Sequence, residues 1–523
     1  MSDHERHVCA QTSAQPSVGE NGNTTPPCER PPVPGRVGRV VVLVLLGLIL
    51  TYQLLIPPVV GQGDQGDFGR LFQRFGIQSD ISDYNHRYFG YFIRTWKIEE
   101  NTASGTGFLS PDVLLVAASL SLNSLLSKTG LYDIRCLALV RMALFLAAAA
   151  LILQLAWRRG LLVRCVAVFA LVVVFADVGY VAYFNSAYSE PSSFLFGLLA
   201  IAFYLRLAAS EGNLWTNLAG FVSCGTLLVW SKPQNILVGF VLGFAALRLA
   251  QAAQTRRWRV GTRLAAIGLV ACSVLYRAIP PPNWYREHIR YIAVFTRILP
   301  SSPDPRKDLQ ELGLDPSLVT LAGTYPWDRE STDRKEQLRQ LFYPRISDGA
   351  VVRFYLRHPE RIWGLLRVSG PEALWLRTGL GNFEESTGFK PFTYARSFAL
   401  RSDFVRRHGP NHVAWFAAWL AGAFCLASVF WLRARTPGRR LACEGVAFLA
   451  VAALTQYAPV VFLQGPHGIP KQMFLFAFFF DCCLVATLAL AADQADGLLK
   501  RWQERGGFHP STKAPGRDPL ASN

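Results

Sequence analysis

A glycine-rich turn, Gly61-Gln62-Gly63-Asp64-Gln65-Gly66-Asp67-Phe68-Gly69-Arg70, follows the first long apolar run of the sequence and carries two carboxylates three positions apart. If that run crosses a membrane, both acids sit just above its surface. A carboxylate there can accept a proton from a hydroxyl, contact a sugar, or bind a divalent cation such as Mg²⁺ or Mn²⁺ through oxygen. The plainer reading is an Asp/Gly turn in which the side chains only shape the loop. The residue types alone leave both open.

Three further segments place polar groups beside apolar runs. Tyr183-Phe184-Asn185-Ser186-Ala187-Tyr188-Ser189-Glu190-Pro191 brings an amide, tyrosines and Glu190 to the end of one run and the start of the next. Tyrosine anchors at membrane interfaces, and an acid at a helix start favours the helix dipole. The tyrosines alone therefore say little, and a sugar contact or the orienting of an acceptor is the sharper reading of Glu190. Trp230-Ser231-Lys232-Pro233-Gln234 and Gln464-Gly465-Pro466-His467-Gly468-Ile469-Pro470-Lys471-Gln472 each add a lysine and a carboxamide. Lys232 and Lys471 can simply snorkel toward water. They also suit a lipid phosphate where it leaves the bilayer, with His467 as a donor or proton carrier.

No Walker loop, GxSxG elbow, dinucleotide fingerprint or HExxH motif occurs. His86, His288, His358, His408 and His412 are scattered without metal-ligand spacing. Chemistry on a surface without a nucleotide site requires a donor that is already activated and anchored in the membrane.

The elements that must hold these groups are helices in lipid. Of 523 residues 51% are hydrophobic and 17% charged, and the apolar residues gather in runs of the roughly 20 residues that span about 30 Å of hydrocarbon. The runs are Val40–Ile56, Leu137–Trp157, Leu161–Tyr183, Ser193–Ala208, Leu214–Trp230, Ile236–Ala253, Leu264–Ile279, Val413–Leu432, Ala442–Leu463 and Met473–Ala492. An all-α polytopic membrane protein of about ten spans follows, with a large outer loop before the last three. Asp177 falls inside the third run. Most of the 10 cysteines lie within runs (Cys165, Cys224, Cys272, Cys425, Cys482 and Cys483 among them), without disulfide or zinc spacing.

The net charge of +17 comes with no nucleic-acid-binding module, so no nucleic-acid partner is expected. Arginine instead concentrates in alternate short loops, at Trp157-Arg158-Arg159, Arg256-Arg257-Trp258-Arg259 and Arg433–Arg440, with Ser210–Asn213 between them. The positive-inside rule makes these cytoplasmic together with both termini. Residues 1–39 read as a disordered, proline-rich cytoplasmic tail without signal-peptide character, and residues 493–523 as a second polar tail. Residues 40–279 form a first transmembrane region that includes an outer loop at 61–135. Within that loop Pro111–Leu126 lies along or re-enters the membrane. Residues 280–412 form an outer loop domain and residues 413–492 the last helices. Composition and the lack of sorting signals point to a bacterial inner membrane.

The acidic turn Gly66-Asp67-Phe68-Gly69-Arg70, the Asn185–Pro191 boundary, the Ser231-Lys232-Pro233-Gln234 turn and the multispan frame from Val40 to Ala492 together resemble the GT-C class of integral membrane glycosyltransferases. The bacterial hexose transferases of glycan biosynthesis are the nearest match. This chain differs from many GT-C members in carrying its large loop internally. The resemblance implies transfer of a hexose from a polyprenyl-phosphate donor to a glycan or lipid acceptor by one inverting displacement. Asp67 would be the base, with Asp64 the competing candidate or a cation ligand. Lys232, Lys471, His467 and Arg70 would meet the donor phosphate; Glu190, Asn185, Tyr188, Gln234 and Gln472 would meet sugar or acceptor. An O-antigen ligase or polymerase would use the Arg353–Arg367 stretch around His358 instead, and a lipid or polysaccharide transporter would place ionisable residues at span midpoints.

Overall fold

The computed structural model describes residues 35–99, 110–253, 255–279, 283–409, 413–463 and 468–504. By internal packing the chain divides at Gly38. Of the first unit only residues 35–38 are described, as the opening of a helix, and the second unit, Arg39–Asn523, contains everything that follows.

Backbone N–H and C=O groups cannot be left unpaired in hydrocarbon, so apolar runs of this length fold as helices that satisfy them internally. Among the described residues nine helices are long and apolar enough to cross a membrane: Arg36–Leu54, Arg135–Ala156, Glu190–Ala208, Leu214–Ser231, Pro233–Ala252, Arg256–Ala278, Val413–Arg433, Pro437–Phe462 and Phe474–Gln503. A tenth span, third in chain order, is a bent pair, Leu161–Phe175 and Val178–Phe184, angled by 54°. The chain is an all-α polytopic membrane protein.

Asp177 makes the bend. Its backbone leaves helical geometry while its side chain accepts from the Gly179 N–H at 2.8 Å, capping the second half. The same carboxylate accepts from the Ser402 N–H at 2.9 Å and from the Ser402 hydroxyl, tying the broken span to the large loop. The helix of the last span continues past Ala492 to Glu504, since Ala, Asp, Gln, Leu and Lys extend it without a breaker. The expected polar tail therefore begins as helix. Residues 1–34 and 505–523 lie outside the described residues.

Polar contacts sort the span ends onto two faces. On one face Asn185 Nδ2 donates to the Leu54 and Val60 carbonyls at 2.9 and 2.8 Å, Lys232 pairs with Glu190, and Lys471 with Asp67. On the other, Arg158 pairs with Glu211 at 2.6 Å, Arg248 with Glu444 at 2.7 Å, and Arg439 with Asp493 at 2.8 Å. The first face holds both long loops, and the second holds the arginine-rich hairpins.

The first long loop forms a small antiparallel sheet of β1 (Ile77–Gln78), β2 (Thr95–Ile98) and β3 (Leu131–Asp133). The apolar stretch expected to lie along or re-enter the membrane is one helix, Asp112–Leu126, anchored where Asp112 meets Arg141 of the second span at 3.0 Å. The second long loop is a series of short helices. Its buried Leu309, Phe342 and Phe354 belong to the same apolar cluster as the spans.

Candidate functional site

The acidic turn is built around Asp64. Its Oδ1 accepts from the N–H groups of Gly66 (2.7 Å) and Phe68 (3.1 Å), and its Oδ2 from Arg87 at 2.8 Å. Gly66 takes a left-handed φ of +96°, which a side chain disfavours. Gly63 lies so close to the Phe89 carbonyl that a Cβ would sit 2.7 Å from it. Arg87 is itself held over the rings of Tyr88 and Trp96 at 4.6 and 4.7 Å. Burial pushes the Asp64 carboxyl above its ordinary value, against the pull of Arg87 and the two N–H groups.

Asp67 is aimed differently. Its Oδ2 meets the Lys471 ammonium and accepts from Gln65 Nε2 at 3.2 Å, while its Oδ1 meets Arg70 at 2.9 Å. Burial alone would raise this carboxyl, but Lys471 and Arg70 outweigh it and hold the group well below the usual carboxylate range. Both oxygens of each acid thus face cations or N–H donors. That arrangement does not fit the pair as ligands for a divalent cation. Among the described residues no group of three or more His, Cys, Asp or Glu converges as metal ligands.

Lys471 comes from the turn Ile469–Gln472 before the last span, is buried, and sits 3.8 Å above the Tyr188 ring. Tyr188 donates its hydroxyl proton to the Gly63 carbonyl at 2.9 Å and accepts from the Gln65 N–H at 2.9 Å, so the boundary motif and the acidic turn are one unit. Next in the chain, Gln472 accepts from Lys232 through its side-chain oxygen at 2.9 Å, and Lys232 also binds Glu190 at 2.9 Å. Gln234 donates to the Gln472 carbonyl at 3.2 Å and to Gln456 at 3.0 Å. The result is a band of alternating charge, Arg70–Asp67–Lys471 followed by Glu190–Lys232, bordered by carboxamides.

Of the residues singled out in the sequence, Asp67, Arg70, Lys471, Gln472, Lys232, Glu190, Gln234 and Tyr188 fall in or against this band. Asp64 lies beneath it as the organiser of the turn. Asn185 is buried and ties the end of the first span to the following loop. His467 lies outside the described residues. The Arg353–Arg367 stretch forms pairs of its own, His358 with Glu311 at 2.8 Å and Arg361 with Asp308 at 2.5 Å.

Several residues on this face escaped the sequence reading. Arg141, buried in the second span, donates to the carbonyls of Tyr183, Phe184, Ser186 and Tyr188 at 2.6–3.3 Å as well as to Asp112. It moulds the boundary motif from behind. A lone arginine inside an apolar run is itself a signal, because a charge there needs partners. Asp481 of the last span accepts from Arg401 at 2.8 Å and from the Tyr180 hydroxyl at 2.7 Å, docking the large loop. The helix Asn283–Tyr291 brings Trp284 over Arg70, with 4.9 Å from guanidinium to ring, and sets His288 near Arg70 and Asp67. Burial, reinforced by Arg70, pushes His288 down to about 4, so its imidazole is neutral at ordinary pH. Its ring stacks on Trp327 at 5.3 Å.

Among solved structures the chain is similar to the archaeal oligosaccharyltransferase AglB from Archaeoglobus fulgidus, in complex with an inhibitory peptide and a dolichol-phosphate. The TM-score is 0.38 and the identity 15%, over 92% of this chain and 53% of that one. The apo form of the Archaeoglobus fulgidus oligosaccharyltransferase gives 0.38 and 13%, over 90% and 52%. This chain therefore spans about half the length of those proteins. No curated protein matches it in sequence. The family model of the YfdI N-terminal transmembrane domain matches residues 34–507, and the chain belongs to that family.

Proposed function

We propose that this protein is a membrane glycosyltransferase that moves a hexose from a polyprenyl-phosphate donor to a glycan or lipid-linked acceptor, at the membrane face that holds the long loops. With the arginine-rich hairpins in the cytoplasm, that face is the outer surface of a bacterial inner membrane. The observation that carries the reading is the contact of one acid, Asp67, with two cations, Lys471 and Arg70, at the ends of the spans.

The arrangement suits an inverting displacement. The acceptor oxygen forms a bond to the anomeric carbon as the bond from that carbon to the phosphate oxygen breaks. The bonding pair leaves with the phosphate, and the acceptor proton passes to Asp67. Lys471, Arg70 and Lys232 stabilise the charge that grows on the departing phosphate. In the free protein Asp67 is a poor base because its cations hold it. A phosphate that draws Lys471 and Arg70 to itself returns the carboxylate toward ordinary basicity at the moment a proton acceptor is needed. Glu190, Tyr188, Gln234 and Gln472 orient hydroxyl groups, and the Asn283–Tyr291 helix covers the site with Trp284 and neutral His288. The described residues of the large loop, 283–409, act as an outer cap over the bundle.

The test is transfer in liposomes. Purified protein is offered a panel of polyprenyl-phosphate hexoses and an acceptor extract, and the product linkage is read by NMR. One accepted donor giving a product of inverted anomeric configuration supports the proposal. Retention of configuration, or no transfer with any member of the panel, contradicts it.

A further inference from the structure

A cavity of about 630 Å³ lies between the spans at the face opposite Asp67. Its wall is apolar, formed by Val166, Leu198, Val241, Ala452 and Ala486 of the third, fourth, sixth, ninth and tenth spans. It reaches the arginine-rich surface at Arg159, Ser210, Arg439 and Asp493. None of the groups assigned to glycosyl transfer lines it.

We propose that this cavity binds an anionic phospholipid of the adjacent leaflet, with an acyl chain inserted between the spans and the phosphate at Arg159. The volume is roughly four times the ~150 Å³ apolar cavity that takes up benzene. A void of this size forfeits dispersion contacts along its whole wall. Water is a poor filling because each buried molecule needs two to four polar partners, and the deep wall offers few. Hydrocarbon is the solvent next to these spans and needs none. The mouth decides the headgroup. Arg439 is already paired with Asp493 and Arg158 with Glu211, whereas the exposed Arg159 guanidinium enters no ion pair among the described residues. A phosphate at Arg159 gives the second arginine of the cavity lining a partner, as Asp493 already does for Arg439. The sugar donor is a different ligand, since its phosphate belongs at the other ends of the same spans.

The full chain, purified in detergent and stripped of lipid by extended washing, is titrated with phosphatidylglycerol or phosphatidylcholine of identical acyl chains and read by native mass spectrometry. The expected result is a saturable 1:1 phosphatidylglycerol complex that outcompetes phosphatidylcholine. Ala486→Phe, which projects a ring into the cavity, weakens it. Arg159→Gln, on the exposed rim, weakens it by about tenfold and weakens phosphatidylcholine less, since the choline cation already offsets that lipid's phosphate. Arg159→Gln carries the test by itself if Ala486→Phe melts early. Absence of a saturable complex, equal affinity for both lipids, or binding indifferent to Arg159→Gln overturns the proposal.

Discussion

Lys471 and Asp67 are 404 residues apart in sequence and in direct contact in the fold, the ammonium of one on the carboxylate of the other. The pair joins the turn before the last span to the loop after the first. It thereby brings an acid and a cation together at the ends of the first and last spans.

Lys471→Gln removes the stronger of the two cations on Asp67 and one cation from the leaving phosphate. Turnover from a polyprenyl-phosphate donor is expected to fall by about 10²-fold, the scale for loss of one charge-stabilising group. Lys471→Arg is expected to recover part of it. Steady-state kinetics in liposomes checks both, and unchanged turnover in Lys471→Gln contradicts the role.

Arg141 and Asp112 test the scaffold behind the site. Their charges are buried together, with Ser192 also hydrogen-bonded to Asp112. Arg141→Met strands the Asp112 carboxylate, and removing one partner of such a pair costs about 3–5 kcal/mol. Early melting in detergent is expected, with Asp112→Asn in the same chain recovering part of the loss. Independent, additive effects would show that the two side chains are not coupled.

The pH dependence of stability follows from His288. Unfolded, it titrates near 6.5; folded, burial and then Arg70 push it down to about 4. Between these values the unfolded chain binds a proton that the folded chain refuses. Stability therefore rises with pH across the window and is lost as pH falls from about 6.5 toward about 4. Asp67, held low by its cations, loses its own contribution only in more acidic solution. Melting of His288→Gln between pH 7 and 4 should show a shallower acid loss than the native chain, and an identical slope would contradict the assignment.

The spans were legible in the sequence because run length in hydrocarbon is a local property. All ten apolar runs correspond to helices in the structure, the third of them as a bent pair. The bend at Asp177 was not foreseen, because it depends on Ser402 in a distant loop. Residue types also marked Asp67, Lys232, Lys471 and Glu190 as unusual, yet the partner of each depends on tertiary packing. Spacing gave no means of separating Asp64, wrapped by its own turn and Arg87, from Asp67, turned toward Lys471. Arg141 and Asp481 lie inside apolar runs, where run length alone does not single out one charge. His288 stands in the sequence as one scattered histidine, because its relation to Arg70 exists only once the large loop has folded back.

Sidedness is checked with single cysteines in a chain freed of its native ones. A cysteine at Gln65 and one at Arg159 are expected to react with a membrane-impermeant maleimide from opposite sides of sealed vesicles, and one at Gln65 and one at Glu385 from the same side. Labelling of Gln65 and Arg159 from one side would contradict the threading of the spans.

The most direct measurement compares Asp67→Asn with Asp64→Asn in liposomes supplied with a polyprenyl-phosphate hexose, with melting recorded for each protein. Asp67→Asn is expected to fold normally and lose transfer by about 10²–10⁴-fold, the range for a missing general base. Asp64→Asn is expected to show its main defect in melting. Full transfer by a normally folded Asp67→Asn protein would contradict the assignment of Asp67 as the base.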